Sequence, residues 1–189
     1  MIFTETTLPG AFIIEPTLFP DERGFFAYTW NQEEFGQQGL DVRFVQANAS
    51  FNKLRGTLRG LHFQIAPYEE TKLVRCTVGA IYDVIVDLRE DSPTFRQWTS
   101  VELSSSNRLE LYVPQGFAHG FQTLEDNTEV AYQISEYYHP EAARGVRWND
   151  PALGIKWPLP FTTMSNRDRA FQLLSHPNLR VNDCLFSFK

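Results

Sequence analysis

Cysteine is nearly absent from this chain of 189 residues, which carries only Cys76 and Cys184. Two cysteines so far apart exclude a disulfide framework and a Cys-rich zinc site, so each reads as a small buried hydrophobe in a reducing compartment. Long apolar runs are missing as well. No stretch of about eighteen apolar residues occurs, and the opening Met-Ile-Phe-Thr-Glu-Thr-Thr-Leu-Pro-Gly lacks the basic start and apolar core of a signal peptide. A soluble, cytoplasmic protein with no membrane partner is expected. Basic charge is also scarce, with 17 Lys and Arg against 23 Asp and Glu, a formal net charge of −6. Nucleic acids and anionic membranes require a broad basic face to displace counterions, so neither is an expected partner. A small anion could still be held by a few clustered cations.

What the chain does have is aromatic and turn-forming residues: 16 Phe and 7 Tyr beside 11 Gly and 11 Pro, a balance that favours short strands joined by turns. Apolar residues alternate over short stretches bounded by Gly, Pro, Asn or Asp, which predicts strands near 11–15, 25–29, 43–50, 58–64, 98–103, 109–113, 118–124 and 128–137. Residues 72–78 alternate, Gly79-Ala80 offers a turn, and 81–88 continue as a β-branched strand interrupted by Asp83 and Asp87, which predicts a hairpin. So many closely spaced strands define a mainly β chain, a barrel or double-sheet jelly roll. Two short helices are predicted. Asn31 to Glu34 has capping-box spacing with Gly39 as a stop, and Ser165 caps a helix over 166–174. One domain over 1–174 is expected, followed by a C-terminal extension, 175–189, that fits equally a packed tail, an added strand or a mobile end.

Alternation places Gly60, His62 and Gln64 on one face of a strand with Leu58, and Lys72, Val74 and Cys76 on one face of another, so His62 and Lys72 meet if both faces point inwards. His62 is otherwise a satisfied core or surface histidine. His119, in Val-Pro-Gln-Gly-Phe-Ala-His, has the spacing of the second metal motif of cupins. A transition metal needs about three protein ligands, yet Phe63 and Gln64 follow His62 and no second histidine is near, so no metal is expected. Asp168, three residues after Ser165, suits a helix cap. Tyr132 shares an inward face with Val130 and Ile134, the usual setting of a core tyrosine whose hydroxyl has a partner. Arg23, Arg59, Lys72 and Arg167 are candidate anion ligands, and guanidinium groups suit the paired oxygens of a diphosphate. Strict alternation puts Arg59 opposite His62, so one pocket can hold both only through a twist or bulge, which Gly60 permits. Tyr138 is either a platform for a nucleobase or part of a packed strand end.

Four elements occur together: Arg-Gly-Thr-Leu-Arg-Gly-Leu-His-Phe-Gln at 55–64, Lys72, Val-Pro-Gln-Gly-Phe-Ala-His-Gly-Phe at 113–121, and Asp168 in Ser-Asn-Arg-Asp. With Asp-Glu-Arg-Gly-Phe-Phe at 21–26, Ser-Pro-Thr-Phe at 92–95 and Arg-Trp-Asn-Asp-Pro at 147–151, the chain resembles the dTDP-4-dehydrorhamnose 3,5-epimerase family from about residue 5 to 174. The resemblance implies a cupin-like jelly roll, a homodimer with strands shared at the interface, no metal or organic cofactor, and a nucleotide-linked 4-keto-6-deoxyhexose as substrate. It further implies His62 as base, Asp168 bonded to it, Lys72 at the enolate oxygen and Tyr132 as the opposing acid. Arg23, supplied across the dimer in this picture, would hold diphosphate and sugar with Arg59, Gln46 and Asn48, and His119 would lie beside the keto group. The chain departs from the family pattern at Ala49, where His is common, and at Ala143 and Tyr28, where Glu is common. Alternatives are inversion at C3 alone, another nucleotide sugar, or a non-catalytic sugar-nucleotide-binding barrel.

Overall fold

The computed structural model describes residues 1–40 and 43–174. Its strands are β1 (Ile2–Glu5), β2 (Phe12–Glu15), β3 (Phe19–Asp21), β4 (Gly24–Phe26), β5 (Gln46–Asn52), β6 (Leu58–Gln64), β7 (Lys72–Val78), β8 (Ala80–Asp87), β9 (Trp98–Ser104), β10 (Glu110–Val113), β11 (Phe117–Thr123), β12 (Thr128–Ile134) and β13 (Ala143–Gly145). Two short helices, α1 (Gln32–Gln37) and α2 (Asn166–Arg169), complete the described elements. The six-stranded sheet runs β1-β2-β10-β7-β12-β5, and the five-stranded sheet runs β13-β6-β11-β8-β9. The described strands all pair antiparallel, so this is the expected mainly β jelly roll.

Alternation accounts for the core between the sheets. Val74, Cys76, Leu111 and Val130 from the larger sheet meet Ile81, Ile85, Leu103, Phe117 and Phe121 from the smaller one. Burial also raises the Cys76 thiol pKa to about 11, as befits an inert packing residue. The outer face of the smaller sheet, through Leu61, Phe63, Val84 and Val86, is covered by Val146, Leu153 and Leu174. Leu73 and Tyr112 on the outer face of the larger sheet pack against Phe35 of α1. Asn31 caps α1 by accepting from the backbone N–H of Glu33 and Glu34, a contribution of about 1 kcal/mol.

Three sequence expectations are corrected. Strands β7 and β8 form no hairpin: Gly79 (φ +76°) turns the chain from one sheet into the other, where β8 pairs with β9 and β11. Both strands carry apolar residues to the shared core, and the sandwich buries them better by placing them in opposite walls. The second helix ends at Arg169 rather than at 174, because Phe171 and Leu174 leave the helical path to be buried. Leu58 is not on the face of His62; it pairs with Gln122, whose side chain reaches the outer segment at Leu159. Strands β1 (Ile-Phe-Thr-Glu), β3 (Phe-Pro-Asp) and β13 (Ala-Arg-Gly) show no sustained apolar–polar alternation, so the sequence pattern does not reveal them. Cys184 and the extension 175–189 lie outside the described residues.

Candidate active site

The rephasing of β6 builds the site. His62 pairs with His119, yet Arg59 pairs with Phe121, so three steps along β6 match two along β11. The extra residue is accommodated at Gly60, with φ +110°, where a Cβ would stand 2.7 Å from the Gly120 Cα and 2.8 Å from the His119 carbonyl oxygen. This bulge, of the kind that strict alternation needs at Gly60, brings Arg59 and His62 to one cavity. On the opposite wall, Lys72 leads β7 and Tyr132 lies mid-strand in β12, both on the inward face. The two sheets diverge here around neighbouring cavities of about 340 and 390 Å³. His62, Lys72, Tyr132 and Ala49 line both. Arg59 and His119 line the first; Gln46, Asn48, Gln64, Glu70, Tyr138, Ala143 and Arg167 line the second.

His62 Nε2 lies 2.8 Å from Asp168 Oδ1, while the other carboxylate oxygen accepts from the Gly60 N–H at 3.1 Å. The Asp168 N–H donates to the Ser165 hydroxyl at 3.0 Å, so the cap anticipated in the sequence and the histidine contact coexist. Burial raises the Asp168 pKa, but the bonds from His62, Gly60 and Ser165 outweigh it and leave the carboxyl below its ordinary value. Burial lowers the His62 pKa, and the Asp168 contact only partly offsets this. The His62 side chain is 39% accessible where it lines these cavities. The imidazole is therefore neutral near pH 7 and available as a base, with its orientation fixed by Asp168. Phe171 stacks edge-on to it at 5.7 Å, seated over Gly145, where any Cβ would collide with the phenyl ring.

Tyr132 stays protonated because burial raises its pKa, with Arg59 opposing and Glu70 adding to the rise. His119 is buried and bound to Asp83 at 2.7 Å, so its ring is fixed rather than loose. Arg59 donates to Asn52 Oδ1 at 2.7 Å, and Gln46 donates to Asn48 Oδ1 at 2.7 Å. Gln64 holds the segment bearing Tyr138 by donating to the Tyr137 carbonyl and accepting from the His139 N–H. Arg23 is not brought to this cavity. It sits on the β3–β4 hairpin with its side chain 84% exposed, bonded to Asp21. Tyr28 is also away from the cavity, in an aromatic cluster with Phe19 and Phe26. Sequence reasoning missed Asn52, Glu70, Asp83 and Phe171. Period-two alternation could have found Asn52 from Asn48 and Glu70 from Lys72, whereas Phe171 had no local signal. Among the described residues, no three His, Cys, Asp or Glu side chains gather as a metal site, and no helix is long and apolar enough to cross a membrane.

A histidine backed by a carboxylate, with a phenol and a lysine on the opposite wall of a jelly-roll cavity edged with cations, is equipment suited to carbon-acid proton transfer, the chemistry of an isomerase. Residues 5–176 match the family described as dTDP-4-dehydrorhamnose 3,5-epimerase. A dTDP-4-dehydrorhamnose 3,5-epimerase of Methanothermobacter thermautotrophicus is 49% identical over 175 residues, covering 91% of this chain and 94% of that protein. The crystal structure of the Bacillus anthracis dTDP-4-dehydrorhamnose 3,5-epimerase with TDP and PPi bound superposes with a TM-score of 0.89 at 48% identity, over 92% of this chain and 99% of that one. A Legionella pneumophila enzyme, solved with dTDP-4-keto-L-rhamnose, gives 0.89 at 38% identity over 98% and 99%. This chain belongs to the dTDP-4-dehydrorhamnose 3,5-epimerase family.

Proposed function

We propose that the two-walled cavity converts dTDP-4-dehydro-6-deoxyglucose to dTDP-4-dehydrorhamnose, with His62 as base and Tyr132 as acid. The observation that carries this reading is the placement of a neutral imidazole, held by Asp168, and a protonated phenol on opposite sheets lining one cavity. The C4 ketone acidifies the hydrogens at C3 and C5. His62 accepts the proton from carbon, the C–H electron pair moves into the enolate, and the charge rests on the C4 oxygen. Lys72 donates to that oxygen, which matters most as charge develops. Tyr132 then protonates the same carbon from the opposite face, inverting it. Each proton transfer of this kind contributes about 10²–10⁴-fold to rate.

Arg59, Gln46 and Asn48 hold the diphosphate and sugar, His119 lies beside the ketone, Tyr138 stacks on the base and Arg167 adds positive charge. Arg23 reaches a cavity only in a homodimer, by passing from its exposed hairpin into the second copy; the exposed Phe19, Phe25 and Phe26 beside it favour such docking. Ala49 and Ala143 leave the cavity wall short at two family positions, which bears on the nucleotide and sugar accepted. The test is incubation with dTDP-4-dehydro-6-deoxyglucose in deuterated water, following label at C3 and C5 separately. Label and inversion at both centres are expected. Label at C3 alone identifies a C3 epimerase, and bound nucleotide without any label identifies a binding protein.

A further inference from the structure

Lys72 does not stand alone in the cavity wall. Its ammonium lies 2.9 Å from Glu70 Oε1 and donates to the His62 carbonyl oxygen at 3.2 Å. Both side chains are largely buried, 8% accessible for Lys72 and 11% for Glu70, and both line the cavity shared with His62 and Tyr132. An ammonium has three hydrogens. With two of them committed, to Glu70 and to the backbone of the base itself, the direction of the third is fixed. A lysine tied at one point only would keep the rotamer freedom of its four-carbon stem. A carboxylate in a cavity that receives a diphosphate would by itself repel the ligand. Its placement against Lys72 gives that carboxylate a use.

We propose that Glu70 is a positioning residue for the epimerisation, aiming the Lys72 ammonium at the C4 oxygen and fixing its spacing from His62. The inference rests on the role given to Lys72 above. Because Glu70 acts through the bond at 2.9 Å, side-chain length should matter more than charge. Glu70→Gln keeps an oxygen acceptor at the same reach, whereas Glu70→Asp keeps the charge but withdraws the acceptor by one methylene.

The experiment compares Glu70→Gln, Glu70→Asp and Glu70→Ala in the full chain, with Lys72→Ala in parallel, by steady-state kinetics, TDP titration and thermal melting. Glu70→Ala should lose roughly tenfold or more in kcat, about 1.4 kcal/mol, with KM and TDP affinity changed by less than about threefold. Glu70→Gln should retain about half or more of kcat, and Glu70→Asp should fall well below it. Should Glu70→Ala fail to fold, the order of Gln over Asp decides the matter. Asp equal to or better than Gln, or a rise in KM with kcat untouched, overturns the role of Glu70. Wild-type kcat in Lys72→Ala removes the underlying role of Lys72 and this inference with it; an inactive Lys72→Ala beside a fully active Glu70→Ala overturns Glu70 alone.

Discussion

Replacing Gly60 with alanine should damage stability and substrate binding together, because the same residue makes the β6 bulge and anchors the Asp168 carboxylate that bonds His62. Its φ of +110° is one that side-chain-bearing residues rarely adopt, a strain of about 1–3 kcal/mol. The new Cβ would also stand 2.7 Å from the Gly120 Cα and 2.8 Å from the His119 carbonyl oxygen. These are backbone atoms of a central strand, so they cannot swing aside, and overpacking of this kind costs about 1–3 kcal/mol more. A total of about 2–6 kcal/mol is a large part of the roughly 5–15 kcal/mol that holds a domain folded. The chain can escape the collision only by straightening β6. That would return Arg59 to the face opposite His62 and move the Gly60 N–H away from Asp168 Oδ2. Urea unfolding, followed by the fluorescence of the four tryptophans, measures the first effect. TDP titration and deuterium uptake by the substrate, both made well below the unfolding transition, measure the second. A variant within about 0.5 kcal/mol of the parent that also exchanges and binds TDP normally would refute the account of the bulge.

His62→Ala should abolish deuterium exchange at the sugar while leaving TDP affinity nearly intact; wild-type exchange would remove His62 from the mechanism. In the parent protein, the acid limb of kcat/KM should fall below histidine's ordinary 6.5, since burial lowers the His62 pKa, and a pH–rate profile checks this. Tyr132→Phe should still exchange hydrogen, with His62 returning a solvent proton to the original face, but should lose most inversion; product configuration by NMR decides, and wild-type inversion of both centres means another group is the acid. Glu110 provides a test of stability: burial raises its pKa from about 4.5 to about 8, Arg75 opposing, and neither carboxyl oxygen has a hydrogen-bond partner among the described residues. A raised folded-state value stabilises fully below pH 4.5 and the advantage is lost as pH climbs to 8, by up to about 5 kcal/mol at 1.36 kcal/mol per unit. Glu110→Gln should flatten this decline between pH 5 and 8.5 in urea titrations, and an unchanged slope would contradict it.

Much of this protein follows from local pattern. Period-two alternation located nine of the strands and a continuous β-branched run located β8, and the Asn31 and Ser165 caps follow from orphan N–H groups that any helix start exposes. The motifs around His62, Lys72, His119, Tyr132 and Asp168 mark candidate residues, of which the first four line one cavity and Asp168 bonds His62. Tertiary structure decided what those residues do to one another. Whether Gly79 makes a hairpin or carries the chain between sheets depends on where β9 and β11 lie, which residues 72–88 do not encode. The bulge at Gly60, which puts Arg59 and His62 in one cavity, arises from a close approach to Gly120, sixty residues away. Phe171 leaves its helix because the His62 ring offers a better place to bury it than water does. The pairing of Asp168 with His62, 106 residues apart, and the lowering of the His62 pKa need both sheets closed around them. Alternation depends on neighbours along the chain; desolvation and register depend on the partners that folding brings in from elsewhere.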